Sequence, residues 1–136
     1  PVQSEQGSFV RHTAGPYLII EGDALALTTD QTGPIEAVYD RAALVALPPE
    51  MRAAYAASLA RLTSPGVQAL LVAFEYPQEM KGGPPFSVAA AEIRELFETA
   101  FTVREIERLD ILAESPKFAE IGIPALHETA VVLGRR

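Results

Sequence analysis

Cysteine is absent from this chain of 136 residues. That absence removes disulfides, thiolate catalysis and cysteine-zinc sites at once. Histidine is almost absent. His12 and His127 lie far apart, too few and too distant for a histidine-based centre, so no metal is expected. Long apolar runs are missing too. The longest, Val67 to Phe74, is broken by Gln68 and falls far short of the roughly 18 residues a spanning helix needs, so no membrane partner is expected. No basic, then apolar, then small-residue signal opens the chain, and a cytoplasmic address fits. Positive charge is in deficit: 11 Lys and Arg stand against 18 Asp and Glu, for a net charge of −7. A surface of that sign repels phosphate, so no nucleic-acid partner is expected. No Ser-His-Asp set, phosphate-binding glycine loop or metal-ligand spacing occurs.

What is present suffices for a core. The chain is 49% hydrophobic and of single-domain length. Ser8 to His12 and Tyr17 to Glu21 flank the turn-forming Thr13-Ala14-Gly15-Pro16, which predicts a β-hairpin. Ile35 to Tyr39 reads as a short strand, and Arg41 to Leu47 as a short helix with Asp40 placed to cap it. Pro49-Glu50 opens a longer helix, with proline at its first position and an acid in its first turn. Met51, Tyr55, Leu59 and Leu62 recur at helical spacing and predict its buried stripe. Ala69 to Phe74 is continuously apolar, as in a central parallel strand covered on both faces. Strand, helix and strand then make a βαβ unit. Glu75 to Phe86 is a loop rich in glycine and proline, and Ser87 is placed to cap a helix over Val88 to Thr99. Phe101 to Leu109 reads as a strand with a bulge near Arg104-Glu105. Leu126 to Leu133 is the last strand. No helix separates these two strands, so an antiparallel terminal pair is expected.

Few residues stand out chemically. Asp40 and Arg41 are adjacent at the carboxyl end of a strand, where open α/β sheets place their ligands. The guanidinium is a rigid five-donor fork suited to an anionic or carbonyl-bearing ligand. The same pair also reads as a helix cap followed by a surface arginine. Asp23, after Gly22, can accept from a nucleoside amino group or hydroxyl, or simply cap a turn. Gly83-Pro84-Pro85-Phe86 can present a rigid apolar edge, with Phe86 stacked on a flat ring or anchored in the core. Lys117 is a lone loop cation. Glu50, Arg52, Glu92, Arg94 and Glu95 read as outer helix faces.

Gly22-Asp23, Tyr39-Asp40-Arg41-Ala42-Ala43-Leu44, Leu47-Pro48-Pro49-Glu50-Met51-Arg52, Gly83-Pro84-Pro85-Phe86 and the ending near Leu133-Gly134-Arg135 coincide in order and spacing with one family. The chain resembles the thiopurine S-methyltransferase family, especially its bacterial members. This resemblance implies an α/β, Rossmann-like, S-adenosylmethionine-dependent methyltransferase fold acting on a small thiol or related chalcogen acceptor. By position it implies catalytic roles for Arg41 and Asp40. Asp23, Ala24 and Arg41 would contact the cofactor, and Pro84, Pro85, Phe86 and Lys117 the acceptor.

The resemblance also implies a departure. Family members carry a further segment ahead of the point matching Pro1, with the first strands and the glycine-containing cofactor loop. The chain is thus expected to be a carboxyl-terminal part, one partial methyltransferase domain over residues 1–136 with its first strands missing. Activity is expected only with the absent segment, the alternative being a non-catalytic module with a scaffold or self-association role. The missing strands would leave a gap between Tyr17–Glu21 and Ile35–Tyr39. Such open edges recruit other strands, so the isolated chain is expected to self-associate while the intact protein can be monomeric.

Overall fold

The computed structural model describes residues 1–136 and contains seven β-strands and four α-helices. The first three strands form a sheet of their own. β1 (Val2–Gln6), β2 (Phe9–Ala14) and β3 (Tyr17–Glu21) pair antiparallel in sequence order. The β2–β3 turn holds Gly15 at φ +57°, where only glycine is free of strain. The remaining strands, β4 (Ala37–Asp40), β5 (Gln68–Glu75), β6 (Phe101–Asp110) and β7 (His127–Arg135), form a second sheet in the order β4-β5-β7-β6.

The expectation of one sheet with its first strands missing is therefore corrected. β3 pairs only with β2, β4 pairs only with β5, and the two belong to different sheets, so no shared gap separates them. The physical reason lies in the turns at the start of the chain. β1, unrecognized in the sequence, folds back on β2 through Gly7, and the third strand closes a local antiparallel meander.

β4 and β5 run parallel, joined by α2 (Pro49–Leu62). β5 leads through α3 (Ala90–Phe97) to β6, and β7 inserts between β5 and β6, antiparallel to both. The β6–β7 register shifts between Glu105 and Glu107, a bulge that turns Ile106 outward. Leu44, Ala56, Leu59, Leu71, Ile93, Phe97, Phe101 and Leu133 belong to the main core, formed where α2 and α3 cover one face of the second sheet. The expectation that β5 is covered on both faces fails. Ala69, Leu71 and Ala73 are buried, whereas Leu70 between them is exposed, as is Tyr39 on the neighbouring strand. Both crossover helices share one face, and an unbroken apolar run hides that asymmetry.

α2 starts as its proline and acid predict, but its buried side differs. Met51 is exposed and Arg52 is 2% exposed. The Arg52 guanidinium donates to Glu92 of α3 at 2.5 Å and to the Leu47 carbonyl at 3.1 Å. A buried charge persists when it is paired in this way. Ser87 does not cap α3, which begins after Ala89. Its hydroxyl oxygen accepts from the Tyr76 backbone N–H instead. The polar stretch after Asp23 holds a 3-10 turn, Ala24–Ala26, and a one-turn helix α1 (Thr29–Thr32) closed by a Thr28–Gln31 capping box. A further one-turn helix, α4 (Pro116–Ala119), lies before β7. No helix is long and apolar enough to cross a membrane, and no group of three or more His, Asp or Glu could hold a metal ion.

Candidate active site

β4 ends at Asp40, and there the chain turns sharply. The buried Asp40 carboxylate accepts the backbone N–H groups of Ala43 at 2.9 Å and Leu44 at 3.3 Å, and the Tyr55 hydroxyl at 2.5 Å. Its oxygens are thus occupied inside the chain; in place of the helix expected over Arg41 to Leu47 there is a 3-10 turn, Leu44–Ala46, whose cap residue is Ala43 and not Asp40. Burial first, and the Asp40 carboxylate second, hold the Tyr55 hydroxyl far above the ordinary phenol range. Arg41, the next residue, is exposed and makes no hydrogen bond or ion pair within the chain. The fastened turn therefore presents an uncommitted guanidinium.

Opposite this turn lies the glycine-proline loop that follows β5. Gly83–Pro84 and Pro84–Pro85 are cis peptide bonds. Several hydrogen bonds fix the loop, among them three to main-chain carbonyls. The Phe86 N–H donates to the Val45 carbonyl at 2.6 Å, the Tyr76 hydroxyl donates to the Pro85 carbonyl at 2.5 Å, and the Val88 N–H donates to the Phe74 carbonyl at 2.8 Å. Between turn and loop opens a cavity of about 400 Å³ lined by Arg41, Ala42, Val45, Ala46, Phe74, Pro84 and Pro85. Its walls are apolar, and Arg41 brings the only charge.

Of the residues singled out in the sequence, the fold brings Arg41, Pro84 and Pro85 to one cavity. Phe86 stands behind the loop, its ring facing the Arg52 guanidinium at 5.8 Å. Asp23 and Ala24 lie outside the lining, in the segment held against α2. One Asp23 carboxylate oxygen accepts the Leu25 N–H at 2.9 Å, and the other has no partner. Gly22 is required beside it, since a Cβ there would stand 2.4 Å from the Phe9 ring. Lys117 is exposed on α4, away from the cavity. Its neighbour Phe118 packs edge-on against Tyr76, ring centroids 5.3 Å apart, with the Lys81 ammonium 5.1 Å from the Phe118 ring.

Sequence reasoning missed Phe74 and Tyr76. Phe74 had a signal, the carboxyl end of the strand next to β4. Tyr76 had a fainter one, since a tyrosine that becomes buried needs a partner for its hydroxyl.

Fold and site together define an α/β domain whose small-molecule cavity lies beyond the carboxyl ends of two adjacent parallel strands. The chain belongs to the thiopurine S-methyltransferase (TPMT) family, whose family model matches residues 1–136. It is 48% identical over 113 residues to a thiopurine S-methyltransferase of Xanthomonas campestris, an alignment covering 83% of this chain and 52% of that protein. It is 39% identical over 136 residues to the enzyme of Shewanella amazonensis, covering 100% of this chain and 62% of the relative. With that of Pseudomonas paraeruginosa it shares 38% over 135 residues, 99% of this chain and 62% of the relative. The chain thus spans a little over half the length of these relatives. A structure solved in work on the conversion of a disulfide bond into a thioacetal group during echinomycin biosynthesis superposes with a TM-score of 0.54 at 19% identity. That match covers 84% of this chain and 54% of the other and shows likeness of fold.

The expectation of a carboxyl-terminal part lacking its cofactor loop is corrected to a family match that runs through residues 1–136. The expectation of activity only with an absent segment, and its alternative of a non-catalytic scaffold, are corrected in the same way, to a chain that matches the family throughout residues 1–136.

Proposed function

We propose that this protein transfers a methyl group from S-adenosylmethionine to the sulfur, or a related chalcogen, of a small acceptor. The observation that carries the reading is the unpaired Arg41 guanidinium at an apolar cavity walled by Phe74, Pro84 and Pro85, in a chain of the thiopurine S-methyltransferase family. Bound S-adenosylmethionine supplies an electrophilic methyl group on a sulfonium. The residues present fit such a cofactor: Asp23 keeps a free carboxylate oxygen for an amino or hydroxyl donor of the nucleoside, and Ala24 beside it adds no bulk.

Arg41 holds a thiolate or polarizes the heterocycle that bears it. Phe74, Pro84 and Pro85 flank the flat part of the acceptor and exclude water, which strengthens the attraction between Arg41 and an anion. No lining side chain can accept a proton near neutral pH, so the acceptor enters already ionized. With the cofactor bound, the acceptor sulfur that Arg41 orients would take the methyl group, and no covalent bond to the enzyme would be needed. Alignment of the two partners supplies the rate. Asp40 serves this chemistry by fixing the turn that carries Arg41.

The test is isothermal titration of the protein with S-adenosylmethionine, followed by detection of S-adenosylhomocysteine when an aromatic thiol is added. Saturable binding and thiol-dependent product are expected. Absence of both overturns the reading.

A further inference from the structure

Four polar side chains of α2 recur every third residue: Arg52, Tyr55, Ser58 and Arg61. Residues so spaced form a ridge inclined to the helix axis, which passes gradually round the helix. Each holds a different part of the site. Arg52 donates to the Leu47 carbonyl and faces the Phe86 ring, behind the acceptor cavity. Tyr55 donates to Asp40, beneath the turn that carries Arg41. The Ser58 hydroxyl donates to the Ala24 carbonyl at 3.4 Å. Arg61 donates to the carbonyls of Leu25 at 2.9 Å and Leu27 at 3.1 Å.

The segment Asp23–Leu27 makes no hydrogen bond to the Asp40–Leu47 turn or to the Pro84–Phe86 loop. Its bonds to the rest of the site run through α2. We propose that Ser58 and Arg61 are positioning residues for the cofactor, and that the α2 ridge sets the distance between the cofactor segment and the acceptor wall. This rests on the reading that Asp23 and Ala24 meet the cofactor. In-line transfer needs reacting atoms about 3–3.5 Å apart, and a misplacement of about 1 Å costs on the order of a hundredfold in rate. One rigid helix bonded to both halves supplies that tolerance. Two neighbouring carbonyls bound by one planar fork also fix the angle of the segment, which a single contact would leave free.

The test compares Arg61→Met and Arg52→Lys with the unaltered protein by calorimetric titration with S-adenosylmethionine and by steady-state kinetics with an aromatic thiol. Arg61→Met is expected to raise the cofactor Kd at least about fivefold while the thiol KM stays within about twofold, the scale of losing one or two hydrogen bonds. Arg52→Lys is expected to do the reverse, raising thiol KM and leaving the cofactor Kd in place. Arg61→Lys, which can still reach one carbonyl, should recover part of the affinity. A merely structural Arg61 would lower Tm and leave the Kd unchanged well below the transition, and that result overturns the inference. So does an equal loss of both affinities in both variants. Should Arg61→Met not unfold cooperatively, Ser58→Ala carries the same readout. If the unaltered protein binds no S-adenosylmethionine, the underlying reading fails and this inference with it. If it binds and Arg61→Met binds equally well, only the inference fails.

Discussion

The Tyr55 hydroxyl, on the second turn of α2, donates a 2.5 Å hydrogen bond to the Asp40 carboxylate at the end of β4. Asp40 also accepts the N–H groups of Ala43 and Leu44. One buried carboxylate thus ties together the strand, the turn bearing Arg41 and the helix that covers the sheet. It sits beside the cavity, and its hydrogen bonds all go to the scaffold.

Tyr55→Phe is expected to lower stability near neutral pH by about 1–3 kcal/mol, because it leaves a buried carboxylate oxygen short of a donor. The folded state holds the Tyr55 proton more tightly than the unfolded chain does. The bond therefore contributes in full below the ordinary phenol value of about 10, and its contribution is lost as pH rises above that value. Urea unfolding of both proteins at neutral pH and at about pH 11 should show the gap between them narrowing at the higher pH. A gap of equal size at both pH values would contradict the pairing.

Arg41→Ala is expected to lower kcat/KM for thiol methylation at least about tenfold, equivalent to roughly 1.4 kcal/mol. Because Arg41 makes no bond within the chain, the melting curve should barely move. Unchanged kinetics in a folded variant would return Arg41 to the role of a surface cation.

A Cβ on Gly83 would stand 2.4 to 2.6 Å from three carbons of the Phe86 ring. Gly83→Ala must therefore displace the ring and the loop that it anchors, at a cost of about 1–3 kcal/mol, with a raised acceptor KM. Gly82 has open space around its Cβ position, so Gly82→Ala should leave the acceptor KM unchanged. Steady-state kinetics and thermal melts of the two variants side by side provide the check.

Asp110 accepts the Leu112 N–H at 3.0 Å, and this bond, helped by the Leu126 N–H and the nearby His127, holds its carboxyl below the ordinary value of 3.8. A depressed pKa contributes stability above that ordinary value and loses it as pH falls through the lower, folded one. Asp110→Ala should therefore be less stable than the unaltered protein near neutral pH, with the difference fading in strong acid. Denaturant titrations across that range would show it, and a difference independent of pH would argue against the bond.

Local chemistry made several elements legible. Proline at the first position and an acid in the first turn marked the start of α2, and the Gly15 turn marked the β2–β3 hairpin. The broken alternation near Arg104-Glu105 marked the bulge in β6. Each depends on residues within a few positions of one another. The site was legible only as candidates: the run from Tyr39 to Arg52 and the Gly83–Phe86 loop stood out, while Phe74 passed as an ordinary strand-end residue and Tyr76 as part of a loop.

By itself the sequence determined the family, the strong helix, the hairpin turn and the chemical types available to a site. Those follow from side-chain sterics, short-range hydrogen bonding and motif order, which are written along the chain. Tertiary structure alone decided that β1–β3 form a separate sheet, that one face of β5 lies open, and that Arg52 turns inward to Glu92, forty positions away. It alone brought Arg41 to the same cavity as Phe74, Pro84 and Pro85. Whether a charged side chain is buried depends on a partner that another helix delivers, and whether a strand face is covered depends on where both crossovers pack. Neither is a property of any local stretch of residues.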